Sequence, residues 1–257
     1  MKNLIMCTVL TALLTTSTSL ADLSDGLIAY YRFDGTSGTV VDETGNYDGA
    51  NYGATRGVAG RFGNAFSFDG YGSNGYVDTI PQADIPSVMT ISMWVLPSGQ
   101  GQLWGTVESP SSGMDGYVAQ NSANPVDDEL VKLAYFTGHA RGPLVVTADH
   151  TVPLHTWSFL TFTIDSSSIA RIYVDSVEEA SGSLISTPTS HDRALMIGQG
   201  ARLQTRPFDG LIDDVRIYNR ALSSAEVHDL YVVPVPGAFL LGMIGLSVAG
   251  VKLRKRT

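Results

Sequence analysis

Between residues 27 and 231 the chain is written as short apolar runs broken by clusters of Gly, Asn, Asp, Ser and Pro, and that rhythm limits what it can fold into. Leu27–Phe33, Ala65–Phe68, Thr90–Val95 and Trp157–Ile164 are rich in aromatic and β-branched residues and too short for ordinary helices, so they read as strands. Ile169–Val174 and Leu211–Tyr218 add two more. In the first of these, Ile172 and Val174 alternate with Arg171 and Tyr173, the pattern of a half-buried strand. The 27 glycines fall mostly in the breaks, as at Gly70, Gly72 and Gly75, where turns demand positive φ. Gly99–Asp128 is polar and weakly patterned, and is expected to form long loops around a strand at Tyr117-Val118. One segment reads as helical: Ser223-Ser224-Ala225-Glu226 has capping-box spacing and leads into Val227 and Leu230. No fixed-period repeat is present. Roughly a dozen short strands in about 205 residues predict one all-β domain over 22–231, a two-sheet antiparallel sandwich.

The two ends differ from this middle. Residues 1–21 read as a secretory signal peptide, with Lys2, an apolar stretch from Leu4 to Leu14, and Ser19-Leu20-Ala21 as a small-residue cleavage site. The one cysteine, Cys7, lies inside that leader, so the exported part has no thiol, disulfide or cysteine-based metal site. All 25 acids lie between Asp22 and Asp229, against 11 bases there, a net charge of −14. Such a surface repels phosphate backbones, so nucleic acid is a poor partner, and cations or neutral polymers suit it better.

Several blocks resemble a known family. Gly26-Leu27-Ile28-Ala29-Tyr30-Tyr31-Arg32-Phe33-Asp34, Gly60–Gly70 and Thr90–Pro97 are similar to successive blocks of laminin-G-like, concanavalin A-like jelly rolls. His155-Thr156-Trp157 with Asp165 and Arg171–Asp175 resembles that family's hairpin, and Phe208–Ser223 its closing block. Ser176 departs from the usual Gly, so a different hairpin turn is expected there. The resemblance implies an antiparallel jelly roll whose members bind glycans, proteins or matrix, or act as spacers. Residues 232–257 resemble a PEP-CTERM sorting signal: Pro234, Pro236 and Gly237, an uncharged stretch of 14 residues (238–251), then Arg254, Lys255 and Arg256 in a basic end. Val235 stands where that signal usually carries Glu. The stretch is short for a permanent span, which prefers about 20 residues. The resemblance implies an exosortase-type sorting protease as partner, membrane contact through the C-terminal segment, and a place at the cell surface or in the extracellular matrix. A plain C-terminal anchor is the alternative.

The candidate chemistry is sparse. In a jelly roll the first and last strands lie side by side, so Asp34 and the Asp213-Asp214 pair could meet at one edge, with Asp69 as a further oxygen ligand for a structural Ca²⁺. Adjacent strand residues face opposite ways, so Asp213 and Asp214 cannot both line such a site, and Asp214 is the better candidate. Alternatively these acids cap turns and pair with Arg32, Arg61 and Arg216. For a glycan, Trp104, Tyr117, Asn121 and Tyr135 are the available platform, since Trp94 and Trp157 sit in core-like patterns. No E-x-D-x-E cluster, nucleophile elbow, H-E-x-x-H, P-loop or dinucleotide fingerprint occurs. The chain is therefore expected to be a non-enzymatic module binding polysaccharide or extracellular matrix protein. The alternatives are a structural spacer without a specific ligand and, third, a glycan-cleaving enzyme.

Overall fold

The computed structural model of the chain describes residues 22–232, apart from 74, 107–115, 125–126, 138–139, 147–151, 185–190, 192 and 201–206; for 121–144 and 146 it describes the backbone alone. The leader and the sorting motif lie outside the described residues. The strands in the first half are β1 (Leu27–Tyr31), β2 (Ala50–Tyr52), β3 (Thr55–Ala59), β4 (Asn64–Asp69), β5 (Tyr76–Asp78), β6 (Met89–Pro97), β7 (Gly101–Gly105) and β8 (Gly116–Asn124). They are followed by β9 (Asp127–Thr137), β10 (Ala140–Val146), β11 (Ser158–Ile164), β12 (Ile169–Val174), β13 (Val177–Ser183), β14 (Met196–Ile197) and β15 (Asp209–Tyr218), and then by helix α1 (Ser224–Val232). The segment expected to be mostly loop, Gly99–Asp128, holds β7 and β8 and the start of β9. Its strands lack the alternating apolar signal because polar residues such as Gln102 lie buried within them.

Two antiparallel sheets result. One runs β13-β12-β11-β6-β15-β4-β3, with β1 also on β15; the other runs β10-β9-β8-β7-β14-β5-β2. The expected pairing of first and last strands is present, with Tyr31 opposite Val215 and Leu27 opposite Tyr218. Period-2 alternation sorts each long strand of the first sheet between two apolar interiors. Ile91, Met93 and Val95, Leu160 and Phe162, Ile172 and Val174, and Ile212 and Ile217 face the core between the sheets. Trp94, Phe159, Tyr173 and Tyr218 face the other way, into a second cluster closed by Leu222, Val227 and Leu230. That cluster explains α1: an outer sheet face carrying four aromatics needs a cover. Tyr231 completes it by stacking on Trp94 at 5.7 Å and 24°.

The helix begins as its capping box predicts. The Glu226 carboxylate accepts from Ser223 N (2.7 Å), and Ser223 Oγ accepts from Glu226 N (3.3 Å). The helix carries through Val232, one residue into what the sequence assigns to the tail.

The loop after β1 is built on a single carboxylate. Asp42, 3% exposed, accepts from Tyr30 N (2.7 Å) and Thr44 N (3.0 Å) through Oδ1. Its Oδ2 takes Thr44 Oγ1 (2.6 Å), Asn46 N (3.0 Å) and Tyr47 N (2.9 Å). Burial works against the charge, but these donors hold the carboxyl below the usual carboxylate range.

Candidate functional site

The four carboxylates assigned to calcium occupy a structural seam and one place away from it. Along one edge of β15 the partner changes: β4 pairs with Asp209 through Ile212, and β1 takes over from Val215. The chain bulges at the change, between Asp213 and Arg216 in register with β6, and Asp214 sits at φ 54°. Both faces of this sheet are covered, and both acids are buried, Asp213 at 0% and Asp214 at 4%. Asp213 Oδ2 accepts from Phe62 N (2.8 Å) and Asp34 Oδ1 from Asn64 N (2.9 Å), so the two acids hold the turn that enters β4. Glycine is required in that turn: a Cβ at Gly60 would meet Asp213 Oδ2 at 2.7 Å, and one at Gly63, where φ is +64°, would run into Asp34.

The remaining charges are matched locally. Asp34 Oδ2 pairs with Arg32 (2.8 Å), and Asp214 pairs with Arg216 (3.0 Å) and accepts from Tyr30 Oη (2.5 Å). The Arg61 side chain pairs with no acid among the described residues and lies over Trp94, 4.6 Å from the ring centre. Asp69 is exposed and faces Asp209 across the ladder, four positions along β15 from Asp213. Among the described residues no group of three or more His, Cys, Asp or Glu side chains is placed to hold a metal ion. Asp34, Asp213 and Asp214 accept from backbone amides and arginines, whereas a calcium ion takes six to eight oxygens.

Two members of the expected aromatic platform are buried. Trp104 is 1% exposed and Tyr117 0%. Trp104 meets Phe162 of the opposite sheet edge-on at 5.8 Å and Tyr117 at 6.4 Å, so both rings belong to the core between the sheets. A Trp in a weakly patterned segment gives no period from which to decide which way it faces. Asn121 lies on β8 opposite Val131, and Tyr135 lies on β9 opposite Tyr117; their side chains fall outside the described residues.

Two other places carry the exposed chemistry. The first is a set of tyrosines at the β2–β5 edge. Tyr52 stands opposite Tyr76 and stacks on it at 4.8 Å and 18°, with 48% of Tyr52 exposed. Tyr71 is 84% exposed on the Gly70–Gly75 loop. That loop abuts the β2–β3 turn, since a Cβ on Gly75 would lie 3.6 Å from Gly53 and Ala54 backbone atoms. The sequence signal for them is local: each of these tyrosines has a glycine beside it, in Tyr52-Gly53, Gly70-Tyr71-Gly72 and Gly75-Tyr76.

The second is a cleft of about 150 Å³ lined by Arg32, Asp34, Val40, Glu43, Arg56 and Phe66, among others. It lies where the β1–β2 connection meets β3. β2 and β3 are the terminal strands of their respective sheets and are joined by a two-residue turn, Gly53-Ala54, so both places belong to one edge of the sandwich.

This architecture is that of a two-sheet lectin-type jelly roll. The model of a laminin-G family, described as the concanavalin A-like lectin/glucanases superfamily, matches residues 70–228, and the chain belongs to that family. Solved structures share the fold. Domain 4 of the extracellular GH43 arabinanase AbnA from Geobacillus stearothermophilus, in complex with arabinotriose, is 23% identical with a TM-score of 0.57, covering 80% of this chain and 98% of that one. The botulinum neurotoxin serotype D ligand binding domain in complex with N-acetylneuraminic acid is 14% identical with a TM-score of 0.59, covering 82% of this chain and 52% of that one. Trypanosoma rangeli sialidase is 21% identical with a TM-score of 0.54, covering 80% of this chain and 32% of that one. The chain thus spans about half of the toxin chain and a third of the sialidase. A search of curated proteins returned no match.

Proposed function

We propose that this chain is an exported, non-catalytic module that binds polysaccharide at the cell surface or in the extracellular matrix, with the tyrosine edge as its contact face. The observation carrying this reading is the Tyr52–Tyr76 stack, with Tyr52 48% exposed, together with the 84% exposed Tyr71 on the loop between β4 and β5. An aromatic face held open to solvent by glycine-rich turns offers the C–H face of a sugar ring a flat apolar contact at little entropic cost. Support also comes from the neighbours solved with sugars, the arabinanase domain with arabinotriose and the toxin domain with N-acetylneuraminic acid. The non-catalytic reading is supported by the way the acids are used. A glycosidase sets a pair of carboxyl groups about 5 to 9 Å apart across its cleft, whereas no E-x-D-x-E cluster occurs in this sequence, and Asp34, Asp213 and Asp214 hold arginines and the backbone of a turn.

Glycan-array binding of the full chain, before and after Tyr71→Ala and Tyr52→Ala, checks the contact face. At least one neutral glycan should bind, and each substitution should weaken it by about tenfold, as loss of a stacking ring does. Unchanged binding in both variants would remove the tyrosines, and release of sugar from β-glucans would remove the non-catalytic reading. Export and sorting are part of the same proposal. Intact-mass measurement on the native protein should place the mature N-terminus at Asp22 and the C-terminus near Pro234–Gly237; a chain retaining the basic end would point to a plain anchor.

A further inference from the structure

We propose that the cleft between Arg32 and Arg56 is a subsite for the carboxylate of a single uronic-acid residue. The proposal stands on its own observations and does not rest on the tyrosine edge.

Its basis is the balance of hydrogen-bonding capacity left open in the cleft. Arg56 Nη1 is buried and has no hydrogen-bond partner among the described residues. The Arg56 guanidinium lies over Phe66, 5.0 Å from the ring centre, and Phe66 in turn stacks on Phe33 at 4.3 Å and 12°. The guanidinium thus lies over an apolar base with Nη1 unspent. A buried donor without an acceptor is costly, and native proteins resolve such groups with a ligand, an ion or water. Arg32 has further donors beyond its one contact with Asp34 and remains 39% exposed. On the acceptor side, both Asp34 oxygens are taken, Oδ1 by Asn64 N and Oδ2 by Arg32. Glu43 is exposed at the cleft. What the cleft offers a ligand is therefore mainly N–H donors in planar forks, the complement of a carboxylate.

Size and field narrow the class. A volume of about 150 Å³ is that of a cavity known to admit one six-membered ring. A uronate presents one planar carboxylate on such a ring. Its single charge meets weaker repulsion from Glu43 and from the −14 surface than a phosphate dianion would. The wall is pre-set. Thr39–Glu43 is anchored by the Asp42 hydrogen bonds, and Phe33 is held at φ 57°, a conformation that a non-glycine residue keeps only when its surroundings enforce it.

The test is calorimetric titration of the full chain at fixed ionic strength with trimers of galacturonate, glucuronate and mannuronate. Each is paired with its fully methyl-esterified form, which keeps the ring and removes the charge, and inorganic sulfate is a separate arm. At least one acid should bind about tenfold more tightly than its ester. Arg56→Gln should abolish that difference, Arg56→Lys should restore part of it, and Tyr71→Ala should leave it intact. The proposal is overturned if no uronate binds, if acid and ester bind alike, if Arg56→Gln binds as the native chain does, or if sulfate competes as well as the uronate itself. The acid-to-ester comparison needs no variant, so a folding defect in Arg56→Gln cannot hide the answer.

Discussion

Asp213 shows how one buried carboxyl ties stability to pH. Its Oδ2 accepts from Phe62 N, and its Oδ1 is buried without a hydrogen-bond partner among the described residues. Burial pushes the carboxyl up to about 7; the Phe62 N–H opposes the rise, and the Asp214 and Asp34 charges add to it. In the unfolded chain the same group titrates near pH 4. The folded state thus holds the proton more tightly. The stabilisation is fully present below about pH 4, falls as the pH rises towards about 7, and is gone above that, with a slope of at most about 1.4 kcal/mol per pH unit. Asp42, Asp165 and Glu226 work in the opposite sense. Burial raises each, but hydrogen bonds from Thr44, Arg171 and Ser223 respectively outweigh it and leave the carboxyl low, so their contribution fades as the pH falls below about 4. Asp213→Asn keeps an acceptor for Phe62 N–H and removes the titration. Its melting temperature should be nearly flat from pH 5 to 8 and exceed the native value at pH 8 by several degrees, at about 2–4 °C per kcal/mol for a domain of this size. Melting curves that track the native protein at every pH would show that Asp213 does not titrate in this window.

At the scale of elements, the β12–β13 hairpin separates what local pattern can and cannot say. The chain reverses in two residues, Asp175 at φ 48° and Ser176 at φ 70°, as a two-residue turn with both central residues left-handed requires. A different turn was expected because Ser176 replaces glycine. Instead the serine adopts the glycine conformation, held in place as Asp175 Oδ1 accepts from Phe159 N (2.8 Å) and Ser176 Oγ meets His228 Nδ1 (3.1 Å). Ser176→Gly should therefore relieve local strain and stabilise the domain by about 0.5–1 kcal/mol, read as a higher urea midpoint at unchanged slope; a lower midpoint would mean that the His228 contact outweighs the strain. The same contrast runs through the whole chain. β6, β11, β12 and β15 were legible because their alternation carries burial on both faces, and α1 because its capping box is local. β7 was not, because Gln102 is polar, buried and indistinguishable in sequence from a loop residue. The site was less legible still. The seam acids were visible as acids, but only the change of partner along β15 shows that they serve amides and arginines. Arg56 was visible only as a charge, and its missing acceptor is a fact of packing.

At the scale of the molecule the governing quantity is surplus negative charge. Several of the described cations pair with an acid, Arg32 with Asp34, Arg171 with Asp165, Arg216 with Asp214 and Arg220 with Glu226, while Arg61 lies over Trp94 and Arg56 over Phe66. With 25 acids against 11 bases between Asp22 and Asp229, the remaining carboxylates face one another with few counter-charges. Mutual repulsion of this kind destabilises the compact state, and it is screened over about 8 Å at physiological ionic strength. Raising NaCl from about 0.02 to 0.5 M, where the Debye length shrinks to a few ångströms, should therefore raise the melting temperature by several degrees and then level off. CaCl₂ at matched ionic strength should do no more than NaCl, because the seam carboxylates are engaged with amides and arginines and the exposed ones act only as a diffuse field. A separate increase at micromolar Ca²⁺, reversed by EDTA, would mean that a dedicated cation site exists, and that the stabilisation of this fold belongs partly to a bound ion and not only to screening of its surface.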